Sequence, residues 1–158
     1  MSHILQIAAI AAATFGTGAT TLFVMNEDIP DFVVPEGAWE NTGALDGMTF
    51  RIYGGDSRSG AVLEDDIVFR DGMFQSTDCE RYCNFGWTEY QTKVSDGVLH
   101  FTTKTTCDEA PHTVVWYGRI TGDDVVIDGT WTTRRWYWTN QIEVKASGSV
   151  LQPAEVTG

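Results

Sequence analysis

Asp-Gly dipeptides at a regular spacing constrain the fold of this chain more than any other feature. Asp46-Gly47, Asp71-Gly72 and Asp96-Gly97 stand 25 residues apart, and each precedes a short apolar run. Gly122-Asp123 continues the series almost in phase. Asp-Gly supplies the positive φ angles that two-residue hairpins need, so each repeat is expected to hold a strand, a longer loop, a return strand and a tight turn. The spacing predicts a meander of antiparallel strands.

The number of repeats predicts whether the sheet closes into a barrel. Four units of this kind make about eight strands, and a sheet of that size can close on itself and remove its exposed edges. The abundance of glycine and aromatic residues also favours strands joined by tight turns. We therefore predict an all-β domain, an up-and-down antiparallel barrel of about eight strands, over residues 37–152, with residues 153–158 as a C-terminal tail.

The region before the tail has the clearest two-residue period. One face carries Trp136, Trp138, Ile142, Val144 and Ala146, and polar or charged residues alternate with them. Successive side chains of a strand point to opposite faces, so the pattern predicts one strand whose even-numbered side chains point into the barrel.

Tryptophans are candidates for the barrel interior. We single out Trp39, Trp116, Trp136 and Trp138, and Trp131 adds a further indole. Core filling is the first interpretation, because aromatic clusters in small β domains usually serve packing. The alternative is that they line a pocket for a small apolar ligand at the barrel mouth.

The N-terminal region predicts a membrane anchor. Ile4 to Met25 contains no charged residue and, at about 1.5 Å per residue, is long enough to cross a bilayer core of about 30 Å. We predict an anchor helix over residues 1–26 and an extended linker over residues 27–36. A cleaved signal peptide is the rival, but no Lys or Arg precedes the apolar run.

A stripe of small residues within the anchor indicates a helical partner. Ala8, Ala12, Gly16 and Thr20 recur every four residues, a spacing that lets another helix approach closely. The simpler explanation is that alanine is a good helix former. The expected partners are integral-membrane protein subunits and the lipid bilayer.

The charge distribution gives an orientation and excludes one class of partner. The first basic side chain that is not histidine is Arg51, whereas acidic residues follow the anchor directly, which favours a cytoplasmic N-terminus and a periplasmic domain on a bacterial inner membrane. A formal net charge of −12 argues against nucleic-acid binding, which needs a basic face.

The cysteine count predicts one disulfide and one free thiol. An exported chain with Cys79, Cys83 and Cys107 is expected to oxidise one pair. Strand pairing about the Asp96-Gly97 turn sets Cys107 opposite Gly86, close to Cys83. We predict Cys83–Cys107 with Cys79 reduced, and Cys79–Cys83 as the rival pairing.

The segment around these cysteines is a candidate interface. Residues 76–87 are expected to form a loop at one barrel end, and Arg81, Tyr82, Phe85 and Trp87 are its candidate contact residues. Alternatively, its aromatic side chains fold back and close the barrel mouth.

Motifs for catalysis are missing from the sequence. His3, His100 and His112 are widely separated, and the acidic pairs stand beside turns, where they are usually solvated. Neither a nucleophile elbow nor a phosphate-binding loop occurs. We predict no catalytic, cofactor-binding or metal-ligating residue and no enzyme activity.

The body of the chain resembles the lipocalin-like (calycin) barrels over roughly Pro35 to Gln152. The resemblance is carried by Gly37-Ala38-Trp39 before the first strand, the run of hairpins, and Arg134-Arg135 near the last. It implies that Trp39 closes the barrel base and that Arg134 or Arg135 covers the indole.

Two functions are compatible with this sequence. The first is a non-catalytic, single-span accessory subunit of a larger respiratory or photosynthetic membrane complex, with a periplasmic barrel that contributes to assembly or stability. The second is a membrane-tethered periplasmic binding protein for a small apolar ligand.

Overall fold

The computed structural model describes residues 34–151, which contain eight strands and one short helix. Their bounds are β1 (Thr49–Asp56), β2 (Val62–Arg70), β3 (Met73–Ser76), α1 (Thr77–Cys83), β4 (Thr88–Ser95), β5 (Val98–Thr106), β6 (His112–Thr121), β7 (Asp124–Arg135) and β8 (Trp138–Val150).

The strands form a closed antiparallel sheet. Each pairs with the next in the chain, and β1 pairs with β8. The predicted all-β fold with eight antiparallel strands is confirmed. The Asp71-Gly72 and Asp96-Gly97 turns have positive φ at both residues, which is the geometry of two-residue hairpins.

The barrel has two different ends. At the turn end lie the tight turns at residues 71–72, 96–97 and 122–123. At the helix end lie α1, the loops at residues 57–61 and 107–111, and the turn at residues 136–137. The antiparallel order places these two groups at opposite ends of the strands.

Aromatic side chains fill the half of the barrel near the turn end. Phe69 is the centre of this core, with ring centroids 5.3 Å from Phe74, 5.0 Å from Tyr90 and 5.1 Å from Phe101. Leu45, only 1% exposed, covers the same end, and its backbone N–H donates to the Tyr90 hydroxyl at 3.0 Å. Aromatic side chains therefore occupy the interior of this half.

The first Asp-Gly dipeptide has a role other than a hairpin. Asp46 precedes β1 and its carboxylate accepts hydrogen bonds from the Tyr90 hydroxyl at 2.8 Å and from the Gly72 backbone N–H at 2.9 Å. It therefore ties the segment before β1 to the turn end.

The prediction of one continuous strand ending at Ala146 was wrong in its first part. β7 ends at Arg135 and β8 begins at Trp138, so Trp136 lies in a two-residue turn and is 94% exposed. Trp138 pairs with Arg135 at the rim and is 41% exposed. A tight turn lies outside the sheet, so the alternation stops predicting burial there. Ile142, Val144 and Ala146 face inward, as predicted.

Trp39 lies outside the barrel, contrary to prediction. Its ring packs against Tyr117 at 6.3 Å. Tyr117 points outward, because its neighbours Trp116 and Gly118 face the interior. A bridge between Glu40 and Thr92 holds the chain there before it enters the turn end.

The expected arginine cover is also not formed. Arg134 and Arg135 end β7 at the helix end, where the Arg134 N–H donates to the Pro111 carbonyl at 2.9 Å. Trp39 precedes a bridge to β4 near the turn end. The length of the barrel therefore separates the arginines from the indole.

The predicted anchor helix over residues 1–26, its stripe Ala8, Ala12, Gly16 and Thr20, most of the linker and the tail lie outside the described residues. Between residues 34 and 151, no helix is long and apolar enough to cross a bilayer.

Candidate ligand cavity at the helix end

Helix α1 forms one wall of the candidate site. Its N-cap Ser76 accepts a hydrogen bond from the Cys79 N–H at 3.1 Å, and Asn84 ends the helix in the left-handed conformation. The sequence prediction of a loop was wrong here, because a seven-residue helix is too short to show a helical period. The missed signal was the capping serine followed by Asp78 and Glu80 in the first turn.

A disulfide fixes α1 to the barrel. Cys83 and Cys107 are bonded, with their Cα atoms 5.6 Å apart, and this confirms the predicted pairing over its rival. Cys79 is free and buried, as predicted. Burial raises the pKa of the Cys79 thiol to about 12, so at neutral pH it is protonated and a poor nucleophile.

A cavity of about 420 Å³ opens beneath α1. Its walls come from β1, β2, β6, β7, β8 and the helix. The lining residues are Asp56, Leu63, Asp65, Asp78, Cys79, Tyr82, His112, Val114, Trp116, Gly129, Trp131, Thr133, Ile142 and Val144.

The mouth of the cavity is aromatic. The Trp131 ring lies 5.5 Å from Tyr82, 5.3 Å from His112 and 5.5 Å from Phe85. Phe85 is buried, whereas Tyr82 is 67% exposed. Part of the 76–87 segment therefore folds back over the barrel, and Tyr82 lies at the boundary between cavity and solvent.

Acidic side chains form the opposite part of the lining. Asp65 is 3% exposed and accepts hydrogen bonds from the Ser76 hydroxyl, from the Thr77 hydroxyl at 3.1 Å and from the Asp78 N–H at 2.9 Å. Burial raises the pKa of Asp65 above its usual value, although these hydrogen bonds oppose the shift. Asp56 accepts from Ser59, which lowers its pKa. A buried carboxylate and an ionised one therefore share this site.

Gly129 creates part of the empty space. A Cβ at this position would meet only the backbone oxygens of Val144 and Val115 and the Val144 Cβ, at 3.6–3.8 Å, which is ordinary contact. A side chain here would enter the cavity without a backbone clash.

The predicted interior and interface residues divide between several places. Trp116 and Tyr82 line the cavity, and Phe85 packs beside it. Trp87 lies on the outer face, with the Arg70 guanidinium 4.6 Å from its ring centre. Arg81 is exposed and pairs with Asp78 at 3.4 Å.

Sequence reasoning placed Trp131 among the interior candidates but missed other lining residues, chiefly Asp65, His112 and Thr133. Because alternate residues of a strand face the same side of the sheet, residue parity on the predicted strands would have placed some of these side chains inside the barrel. Pairing about the Asp71-Gly72 turn sets Asp65 opposite Asp78 of α1, whereas His112 and Thr133 reach the site only because the helix folds over the barrel end.

The chain matches no family model, no curated protein and no solved structure. Within residues 34–151, no three His, Cys, Asp or Glu side chains cluster as metal ligands would.

A second surface lies beside the cavity. Trp136, Tyr137 and Trp138 form an aromatic tip on the β7–β8 turn, with adjacent rings 4.9 Å and 6.1 Å apart. All three are exposed. An exposed aromatic cluster of this kind is typical of a contact surface.

Proposed function

We propose that this chain is a binding protein for a small molecule with a largely apolar body, which enters the cavity at the helix end of the barrel. The predicted anchor over residues 1–26 would hold the domain on the periplasmic side of the membrane. The observation that carries the proposal is the cavity itself, since half of the barrel is packed with aromatic side chains and the other half is open.

The size and lining of the cavity support this function. A volume of about 420 Å³ falls within the range of about 300–1,000 Å³ that small-molecule sites commonly have. Leu63, Val114 and Ile142 supply apolar wall, and Trp131 supplies a large flat surface. Hydrogen-bonded strands hold these walls in place, so the site is formed before a ligand arrives.

A cavity-filling variant tests the proposal. Gly129→Phe should place a ring inside the cavity, whereas Thr130→Phe places the same ring on the outer face of the same strand. Titration with the neutral fluorophore N-phenyl-1-naphthylamine should give saturable binding to the wild type and to Thr130→Phe. Gly129→Phe should lose that binding while keeping the circular-dichroism spectrum of the wild type.

Two results would contradict this function. One is the absence of saturable binding by the wild type. The other is equal binding by the wild type and Gly129→Phe, because the fluorophore would then occupy a different surface.

The aromatic tip favours a second function, an accessory subunit of an integral-membrane complex. Trp136 is 94% exposed and Tyr137 is 63% exposed. Burying these side chains against a partner would stabilise a complex by several kcal/mol at most, which is what aromatic anchor residues contribute to interfaces. The host would be an energy-transducing complex, respiratory or photosynthetic, as expected for a single-span subunit.

Purification of the full chain in mild detergent tests the second function. The wild type and Gly129→Phe should both copurify with a stoichiometric partner, and a Trp136→Ser/Tyr137→Ser variant should lose it, because the substitutions remove contact area without touching the barrel core. A wild-type chain that emerges alone would exclude this function.

A further inference from the structure

We infer that the cavity at the helix end selects organic cations, in which a protonated amine or a quaternary ammonium group is attached to an apolar body. This inference rests on the proposed binding function and specifies the charge of the ligand.

The charge of the lining is the first argument. Three carboxylates line the cavity, those of Asp56, Asp65 and Asp78, and among the described lining residues none is Lys or Arg. The chain as a whole has a formal net charge of −12, which adds to the negative potential in a partly enclosed site. An anionic ligand would be repelled on entry, whereas a cation would be attracted.

The state of these carboxylates is the second argument. Hydrogen bonds from Ser59 lower the pKa of Asp56, so this group is ionised at neutral pH. Asp78 is partly offset by Arg81, which lies 3.4 Å away on the exposed side of the helix. Arg58 acts on Asp56 in the same way, so two arginines beside the cavity offset part of the charge of its three carboxylates, while the charged groups of the described lining itself are acidic.

The aromatic mouth is the third argument. Trp131, Tyr82 and His112 pack against one another at the mouth, with ring centroids 5.3–6.3 Å apart. The faces of such rings attract a cation within about 6 Å, and indole does so best. A cationic group bound at the mouth would contact these rings while the apolar body of the ligand contacts Val114, Ile142 and Val144.

Other polar groups of the lining form hydrogen bonds within the protein. The Trp116 indole N–H donates to the Thr105 hydroxyl at 3.0 Å, and His112 contacts the Thr133 hydroxyl through Nδ1 at 2.9 Å. These polar groups are already paired within the protein. The carboxylates also form hydrogen bonds or an ion pair, so they would act on a cationic ligand through their negative charge rather than as free acceptors.

Three naphthalene compounds of nearly equal size test the inference: 1-naphthylmethylammonium, 1-naphthalenemethanol and 1-naphthoate. Isothermal titration calorimetry with the full chain should give the tightest binding for the cation, weaker binding for the alcohol by about tenfold, and the weakest for the anion. Added salt should weaken the binding of the cation but not that of the alcohol.

A charge variant sharpens the test. Asp78→Asn keeps the backbone N–H that donates to Asp65 but removes one negative charge from the lining. This substitution should weaken the affinity for the cation about threefold or more and leave the affinity for the alcohol unchanged. Asp71→Asn is the control, because it makes the same charge change at the turn end. Asp71 has a φ of +53°, which asparagine also accepts. This substitution should change the affinity for neither compound.

The outcomes separate this inference from the proposed function. If the alcohol or the anion binds as tightly as the cation, the cavity is a binding site without cation selectivity, and the inference fails alone. If none of the three compounds nor the neutral fluorophore binds, both fail. If Gly129→Phe no longer binds the cation, the cavity is confirmed as the binding site of the cation.

Discussion

Two glycines on neighbouring strands, Gly118 and Gly129, face the barrel interior, but the first is tightly packed and the second is not. A Cβ on Gly118 would overlap the ring of Phe101, whereas a Cβ on Gly129 would meet only ordinary contacts. Phe101 cannot move aside easily, because it is fully buried and packs against Phe69. The same residue type therefore permits close packing at one position and leaves a cavity at the other.

Gly118→Ala should destabilise the protein by about 1–3 kcal/mol, as overpacked cores usually do. Gly129→Ala is the matched control and should be neutral or slightly stabilising, since glycine weakens a strand interior. The free energy of unfolding from urea denaturation measures both. Equal effects of the two substitutions would contradict this account of the packing.

Asp65 gives the stability a pH dependence of definite sign. Burial raises its folded-state pKa above the unfolded value of 3.8, so its protonated form is favoured by folding. Its contribution is therefore complete below the unfolded pKa and is lost as the pH rises through the folded pKa. The stability of the wild type relative to Asp65→Asn should fall as the pH rises above about 4.

Asp66 provides a control of opposite sign. Arg51 donates to its carboxylate at 2.8 Å and 2.9 Å, which lowers the pKa of Asp66. The stability of the wild type relative to Asp66→Asn should therefore fall as the pH is lowered. Urea denaturation at several pH values measures both differences, and slopes of the same sign would overturn the assignment.

At the level of the element, α1 depends on a covalent bond as much as on its caps. A helix of seven residues is too short to be stable by itself. The Cys83–Cys107 bond joins its last residue to the segment after β5, across a sequence separation of 24. Asp78, Cys79 and Tyr82 reach the cavity because the helix is held in this position.

A Cys83→Ser/Cys107→Ser variant should lose about 3 kcal/mol of stability in the chain-entropy model and should bind cavity ligands more weakly, because one wall is released. Cys79→Ala keeps the bond and should lose less stability. Urea denaturation and calorimetry measure the two effects. Non-reducing peptide mapping of the wild type should give the Cys83–Cys107 pair, and a crosslinked peptide containing Cys79 would contradict the structure.

At the level of the whole molecule, the barrel closes where β1 meets β8, and two glycines allow that approach. A Cβ on Gly54 would overlap the backbone of Lys145 and Ala146, and one on Gly148 would overlap the backbone of Arg51. Backbone atoms cannot yield as a flexible side chain does. The strands that close the sheet therefore require the absence of side chains at these positions.

Gly148→Ala should open the contact between β1 and β8 and lower stability by about 1–3 kcal/mol. Ser147→Ala, at the outward-facing neighbour on β8, is the control and should have little effect. Hydrogen exchange should accelerate in β1 and β8 more than in β4 and β5. Uniform acceleration over all strands would argue against a local opening.

Much of the architecture follows from local sequence. Asp71-Gly72 and Asp96-Gly97 determine hairpins because their backbone geometry is a property of the dipeptide. The two-residue period gives the inward face of β8 at Ile142, Val144 and Ala146, and pairing from a known turn leads to the Cys83–Cys107 bond. These inferences need only residue types and positions along the chain.

The site depends on contacts between distant parts of the chain. Trp136 and Ile142 have the same parity, yet one is exposed in a turn and the other lines the cavity. Trp39 lies outside the barrel because the chain crosses the outer face before entering it. Trp131, on β7, meets Tyr82 of α1 only when distant strands are brought together. Sequence alone determined the strands and turns, because backbone preferences over a few residues set them. The cavity is the volume left when the closed strands and the bonded helix pack together. Only the tertiary structure decides that volume.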